Sequence, residues 1–134
     1  MTDNNKYSII VCVTYYIKEL LMKFESQLLR GIAPTVVLEI ISRGPMYGYE
    51  LRKAIEKRSN NILVLGKGTL YPLLYNLEAK KLVKGKWEIK GSNRPKRYYS
   101  ITNKGKTQLA KQKEQLRELR TGLDFIFSGE IALT

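Results

Sequence analysis

The sequence predicts a mainly helical domain closed by a two-stranded β-hairpin, with further helix at both ends. Three observations predict it. Apolar residues recur at helical spacing within residues 26–43, 46–58 and 70–77. From Val83 the period drops to two, and a Gly91-Ser92-Asn93 turn divides the alternating stretch. After Thr102, leucines return at alternating spacings of three and four. The chain has 134 residues, enough for one domain with a modest core and too few for two ordinary ones.

Residues 7–24, YSIIVCVTYYIKELLMKF, are the most apolar segment. Lys18 and Glu19 interrupt it before the ~20 residues that a bilayer span requires. Only Lys6 precedes it, against Asp3, and no small-residue cleavage site follows, so a secretory leader is not expected either. Residues 1–23 are therefore read as an N-terminal extension, an extra helix that packs on the domain or on a partner subunit. Met22, which opens MKFESQLLRG, is a second candidate for the natural start.

In residues 26–43, Leu28, Ile32, Val36, Val37, Ile40 and Ile41 form a helical stripe that Gly44-Pro45 ends. Pro34 lies inside it, so the regular helix either begins near Ala33 or kinks there. Residues 46–58, MYGYELRKAIEKR, read as a short helix that buries Tyr47, Leu51, Ala54 and Ile55 and leaves Arg52, Lys53, Glu56 and Lys57 in water. Ser59-Asn60-Asn61 breaks it. The next stretch, GKGTLYPLLYNLE at residues 66–78, begins as a loop and ends as a helix, with a proline inside its first turn. Leu70, Leu74 and Leu77 fall at i, i+4 and i+7, one apolar stripe, which leaves Tyr71 and Tyr75 one turn apart on another face beside Lys67 and Asn76.

In the hairpin, Val83, Gly85, Trp87 and Ile89 alternate with Lys84, Lys86, Glu88 and Lys90, and Lys96 to Ile101 supplies the second strand. Trp87 and Tyr99 are expected to cover the core or the base of the hairpin. Thr102 is placed to cap a last helix, whose seam of Leu109, Gln112, Leu116, Leu119, Leu123 and Ile126 is expected to face a second subunit. Residues 103–134 are read accordingly as a dimerisation helix and tail. The alternative is a terminal helix folded onto its own domain.

Lysine and arginine total 24 against 12 acids, a formal net charge of +12, which favours a polyanionic partner. The charge is concentrated: Lys80, Lys81, Lys84, Lys86, Lys90, Arg94, Lys96, Arg97, Lys104 and Lys106 stand against Glu88 alone between Lys80 and Lys106. The absence of histidine and the single cysteine, Cys12, exclude cysteine-histidine metal sites, disulfide frameworks and a histidine general base within one chain. No phosphate-cradling glycine loop or nucleophile elbow is present, so no catalytic residue, cofactor or metal is expected. Cys12 reads as inert packing, in keeping with a reducing cytoplasm.

Three helices followed by a basic hairpin make a winged helix-turn-helix, here residues 24–102. In that arrangement the leucine stripe anchors the third helix, so that Lys67, Thr69, Tyr71, Tyr75 and Asn76 are presented to the major groove of double-stranded DNA. Arg94, Lys96 and Arg97 would lie along the sugar-phosphate backbone. Core packing of the Tyr71 and Tyr75 rings is the competing reading for those two.

At these residues the chain resembles the PadR family of bacterial transcriptional regulators. The likeness runs through Gly44-Pro45-Met46-Tyr47-Gly48-Tyr49-Glu50-Leu51, then Gly68-Thr69-Leu70-Tyr71-Pro72 with Leu74, Leu77 and Glu78, then Arg97-Tyr98-Tyr99-Ser100-Ile101-Thr102 and Gly105, and covers about residues 24–127. It implies a homodimeric winged-helix repressor that binds an inverted-repeat operator and is released by a small-molecule effector. The short C-terminus is similar to that of the smaller subfamily, with one dimerisation helix. Some small members stack flat aromatic drugs on a tryptophan of that helix, whereas the only tryptophan here, Trp87, lies in the hairpin, so drug sensing is not implied. Phe125 and Phe127 are expected to pack in the subunit interface or line a pocket. The competing function is a protein-interaction or membrane-associated module that docks a partner through residues 7–24.

Overall fold

The computed structural model describes the backbone of residues 2–91 and 94–129, and the side chains there except those of residues 2–8 and 14–26. The expected turn residues Ser92 and Asn93 and the tail from residue 130 lie outside the described residues, as do most side chains of the 7–24 segment. The chain divides into two compact units, residues 1–33 and 34–134.

The first helix, α1 (Thr2–Ile41), has residues in both. Where the sequence left open a start near Ala33 or a kink, helix continues across Pro34, at the loss of the one N–H bond that would reach the carbonyl of Arg30. In the first unit Ile9, Ile10, Val11, Val13 and Leu28 are exposed. Among the described residues no helix is long and apolar enough to cross a membrane.

In the second unit the elements follow as β1 (Met46–Tyr47), α2 (Gly48–Arg58), α3 (Lys67–Ala79), β2 (Val83–Glu88), β3 (Lys96–Ile101) and α4 (Asn103–Ser128). The three strands form one antiparallel sheet in the order β1-β3-β2. Met46 and Tyr47, read from sequence as the start of a helix, are strand because they pair with Tyr99 and Tyr98. A two-residue strand has no period of its own; the partner strand makes it. The Tyr47 ring then meets the Tyr98 ring edge-on at 5.5 Å.

Val37, Leu38, Ile40 and Ile41 of α1, Leu51 and Ile55 of α2, and Leu70, Leu74 and Leu77 of α3 are all buried, together with Leu65, Leu82, Val83 and Leu109. Each leucine fully removed from water contributes about 2 kcal/mol. Helices α2 and α3 end alike. Asn60 and Lys81 adopt left-handed φ of 51° and 62°. The next amides, Asn61 N–H and Leu82 N–H, donate back to Glu56 O at 2.8 Å and Leu77 O at 2.9 Å, closing the last turn as in a Schellman motif. The Lys81 turn drops the chain directly into β2.

Thr102 caps α4 as expected: its Oγ1 accepts from Gly105 N–H at 3.0 Å and donates to Lys81 O at 2.7 Å, tying the start of α4 to the end of α3. Along the same helix Thr35 Oγ1 donates to Gln112 Oε1 at 2.8 Å, and Lys113 Nζ reaches Glu39 Oε2 at 3.0 Å. Leu109 is buried and Leu116 half-buried, but beyond them Leu119 is 57% exposed and Ile126 72%.

Candidate nucleic-acid interface

Helix α3 is held by its leucine stripe, which fixes what it shows outward. Lys67, Tyr71, Tyr75 and Asn76 are exposed and Thr69 is half-buried. The first turn starts at Gly66, whose carbonyl accepts from Thr69 N–H at 3.1 Å and Leu70 N–H at 3.0 Å. Pro72 therefore falls in the second turn and not, as expected, in the first, and it leaves the carbonyl of Gly68 without its helical donor. No side chain caps the start of α3, so its free amides face outward beside Lys67, an arrangement suited to a phosphate.

The two tyrosines differ. Tyr75 is 74% exposed and Tyr71 48%. The Tyr71 ring lies across Gly48 at the start of α2, where an added Cβ would stand 2.8 Å from its hydroxyl oxygen. Glycine at 48 is what lets the ring lie down there. Tyr71 is thus steadied by α2 while its other face stays in water, midway between the core and groove readings.

Sheet alternation separates the hairpin's basic residues into two sets. Val83, Gly85 and Trp87 share a face with Ile101, Tyr99 and Arg97, whereas Lys84, Lys86 and Glu88 share the other with Ser100, Tyr98 and Lys96. On the second face Lys96 Nζ sits 4.3 Å from the centre of the Tyr47 ring and Lys90 Nζ 4.2 Å from that of Tyr98, both within cation–π range. Lys96 and Arg97, neighbours in sequence, consequently point in opposite directions. Arg94 is exposed beside the turn.

Arg97 turns toward α3. It forms an ion pair with Glu78, and its guanidinium carbon lies 5.7 Å from the Trp87 ring centre and 5.8 Å from that of Tyr99. The hydrogen bond to Glu78 raises the guanidinium pKa further above its ordinary range. Burial pushes the Tyr99 phenol up, although Arg97 beside it pulls the other way. Together Tyr71, Tyr75, Glu78, Ala79, Arg97 and Tyr99 line an open groove of about 540 Å³ between α3 and β3.

Trp87 does not cover the core. It is 63% exposed, and only Val83 and Tyr99 of its strand face are buried. Sequence reasoning missed Glu78, Gly85 and Gly48 as parts of this surface. Glu78 lies seven residues after Tyr71, hence on the same face of α3, and that spacing was the available signal. Among the described residues no cluster of histidine, cysteine or carboxylate side chains could hold a metal ion.

Residues 37–111 match the family model described as the transcriptional regulator PadR-like family. The fold is similar to a PadR-like transcriptional regulator from Bacillus cereus, with 32% identity, a TM-score of 0.67 and coverage of 78% of this chain and 99% of that one. A PadR family regulator from Eggerthella lenta superposes with a TM-score of 0.67 at 26% identity, covering 82% of this chain and 90% of that one. Among curated relatives, the transcriptional regulator YqjI of Escherichia coli is 33% identical over 81 residues, 60% of this chain but only 37% of that longer protein. The matched span takes in α2, α3, the hairpin and the start of α4, the parts that build the surface just described. The chain belongs to the PadR-like family of transcriptional regulators, proteins that act on DNA and not by catalysis.

Proposed function

We propose that the chain is a sequence-specific repressor that binds an inverted-repeat operator as a homodimer and is released by a small-molecule effector. One observation carries the DNA-reading part: α3 buries Leu70, Leu74 and Leu77 and turns Lys67, Tyr71, Tyr75 and Asn76 to solvent next to a hairpin rich in lysine. Lysine and the free amides of the helix start suit phosphate, tyrosine hydroxyls suit phosphate or base edges, and asparagine can pair with adenine. Thr69, Arg94 and Lys96 complete the proposed contact set, with Arg97, the remaining candidate read from sequence, turned instead toward Glu78. The seam that continues from buried Leu109 through half-buried Leu116 to exposed Leu119, Leu123 and Ile126 supports pairing of two α4 helices. Effector release is the part of this reading that rests on the family resemblance alone.

The test is titration of the full chain with duplexes drawn from the DNA flanking its own gene and with mixed-sequence duplex, each at several salt concentrations. A flanking duplex bound at least a hundredfold more tightly than mixed DNA is expected. Equal affinity for every duplex would leave a non-specific DNA binder.

A second reading is favoured by Ile9, Ile10, Val11 and Val13, all half or more exposed: residues 7–24 dock a protein partner or a bilayer surface. Deleting residues 1–21 separates the two. On the leading reading DNA affinity stays within tenfold, about 1.4 kcal/mol, whereas partition of the full chain onto lipid vesicles that disappears with the deletion would favour the second.

A further inference from the structure

A hairpin can follow a DNA backbone only if it stands at the right distance from the helix in the groove, and here one side chain spans the two. Arg97 on β3 and Glu78 on α3 are 19 residues apart in sequence. Among the described residues no other ion pair joins a helix to the hairpin. The two side chains are 30% and 32% exposed, so the pair is partly shielded from water and salt.

The guanidinium also has a seat. A Cβ at Gly85 would lie 2.5 Å from Arg97 Nε and 2.7 Å from its Cζ, closer than any side chain tolerates, so glycine at 85 makes the room that Arg97 fills. The rings of Trp87 and Tyr99 stand on either side of it in sequence register: Trp87 is the cross-strand partner of Arg97, and Tyr99 that of Gly85. Residues from α3, β2 and β3 thus converge on one cation.

We propose that Arg97 is a positioning residue, which through Glu78 locks the hairpin to α3 at the spacing at which both meet one DNA duplex. This rests on the reading that α3 and the hairpin bind DNA together. It makes a claim about sign. Glu78 is an acid on a surface that binds a polyanion, so by charge alone its removal should strengthen binding. If it holds the lock, removal should weaken binding.

The experiment uses the full chain and a mixed-sequence duplex at several salt concentrations, with Glu78→Gln, Arg97→Gln, the double variant, the exchanged pair Glu78→Arg with Arg97→Glu, and Gly85→Ala. Gly85→Ala changes no charge and displaces only the flexible end of Arg97, so folding should persist while the lock opens. The fluorescence of Trp87, the only tryptophan, is followed in the same proteins without DNA.

The lock predicts that Glu78→Gln weakens DNA binding about tenfold, that the double variant is no worse than the poorer single, and that Gly85→Ala reproduces the loss. The exchanged pair, with the parent's net charge, should recover most of the affinity. Trp87 emission should shift alike in both single variants and no further in the double. Tighter binding by Glu78→Gln, with a salt slope steeper by about one, would mean that Arg97 is a phosphate ligand held back by Glu78, and the lock is overturned. Additive losses in the double variant overturn it too. If the parent chain binds no duplex, the DNA reading falls by itself; coincident Trp87 shifts then sustain the lock between hairpin and helix, and additive shifts sink it.

Discussion

Helices α3 and α4 each carry a leucine stripe, and the stripes meet different fates. In α3, Leu70, Leu74 and Leu77 are each at most 4% exposed, so this stripe is fully covered and the helix offers mainly polar and aromatic groups outward. In α4 burial ends after Leu109: Leu116 is half-covered, Leu119 57% and Ile126 72% exposed, with Phe125 and Phe127 also bare. The same spacing of leucines can therefore mean a finished contact or an unfinished one, and only the neighbouring layer decides which. An anchored helix with a polar outer face suits DNA, and an apolar seam suits another like it.

The largest effect that would test this contrast is on stability. Leu74→Ala should destabilise the domain by about 2–5 kcal/mol, the range for emptying a buried leucine site, whereas Leu119→Ala should leave the unfolding of the isolated subunit nearly unchanged. Thermal unfolding at low protein concentration checks both. Equal costs at the two positions would mean that α4 is already covered.

Next comes association. Leu116→Lys places a charge in the seam and should raise the dimer dissociation constant at least a hundredfold, about 2.7 kcal/mol, so that sedimentation finds monomers at micromolar concentration. A parent chain that sediments as a monomer at that concentration removes the reason for reading the seam as an interface.

A smaller effect belongs to the outer face of α3. Tyr71→Phe keeps the ring that lies across Gly48 and deletes only the hydroxyl, so operator affinity should fall by about 0.5–1.5 kcal/mol, the worth of a neutral hydrogen bond, at unchanged unfolding midpoint. Parent-like binding by Tyr71→Phe, with unfolding by Tyr71→Ala, would assign Tyr71 to packing alone.

Much of this was legible in the sequence, for reasons that differ by element. The stripe of α3, the alternation of the hairpin and the Thr102 cap are local patterns, and local patterns survive folding. The strand at Met46–Tyr47 was not legible, because its partner lies beyond α2 and α3 in the chain. Trp87 was expected to cover the core or the base of the hairpin, and alternation assigns a face of the sheet but not how far along that face the core extends. The pairing of Arg97 with Glu78 had no signal in the sequence, and Lys96 was grouped with Arg97 although a strand sends adjacent side chains to opposite sides. The continuous α1 shows that one proline is a weaker stop than the Gly44-Pro45 pair, which does end the helix.

The smallest expected effect is that of pH. The chain has no histidine, and among the described residues the two side chains whose pKa values are displaced, Arg97 and Tyr99, are both displaced upward. Tyr99 favours its neutral form in the fold, so its contribution is complete below the ordinary tyrosine value of about 10 and is lost as pH rises through the higher folded value. Unfolding midpoint and DNA affinity at fixed salt should thus be flat from about pH 6 to 8, with stability falling above about pH 10. A step between pH 6 and 8 would point to a titrating group other than Arg97 and Tyr99.

The contrast between the two helices is tested most directly by selecting bound fragments from a random duplex library with the full chain and sequencing them. Two copies of α3 carried by paired α4 helices should enrich an interrupted palindrome, with half-sites centred about one helical turn, roughly 34 Å, apart. Enrichment of a single directional site, or of none, would contradict the account.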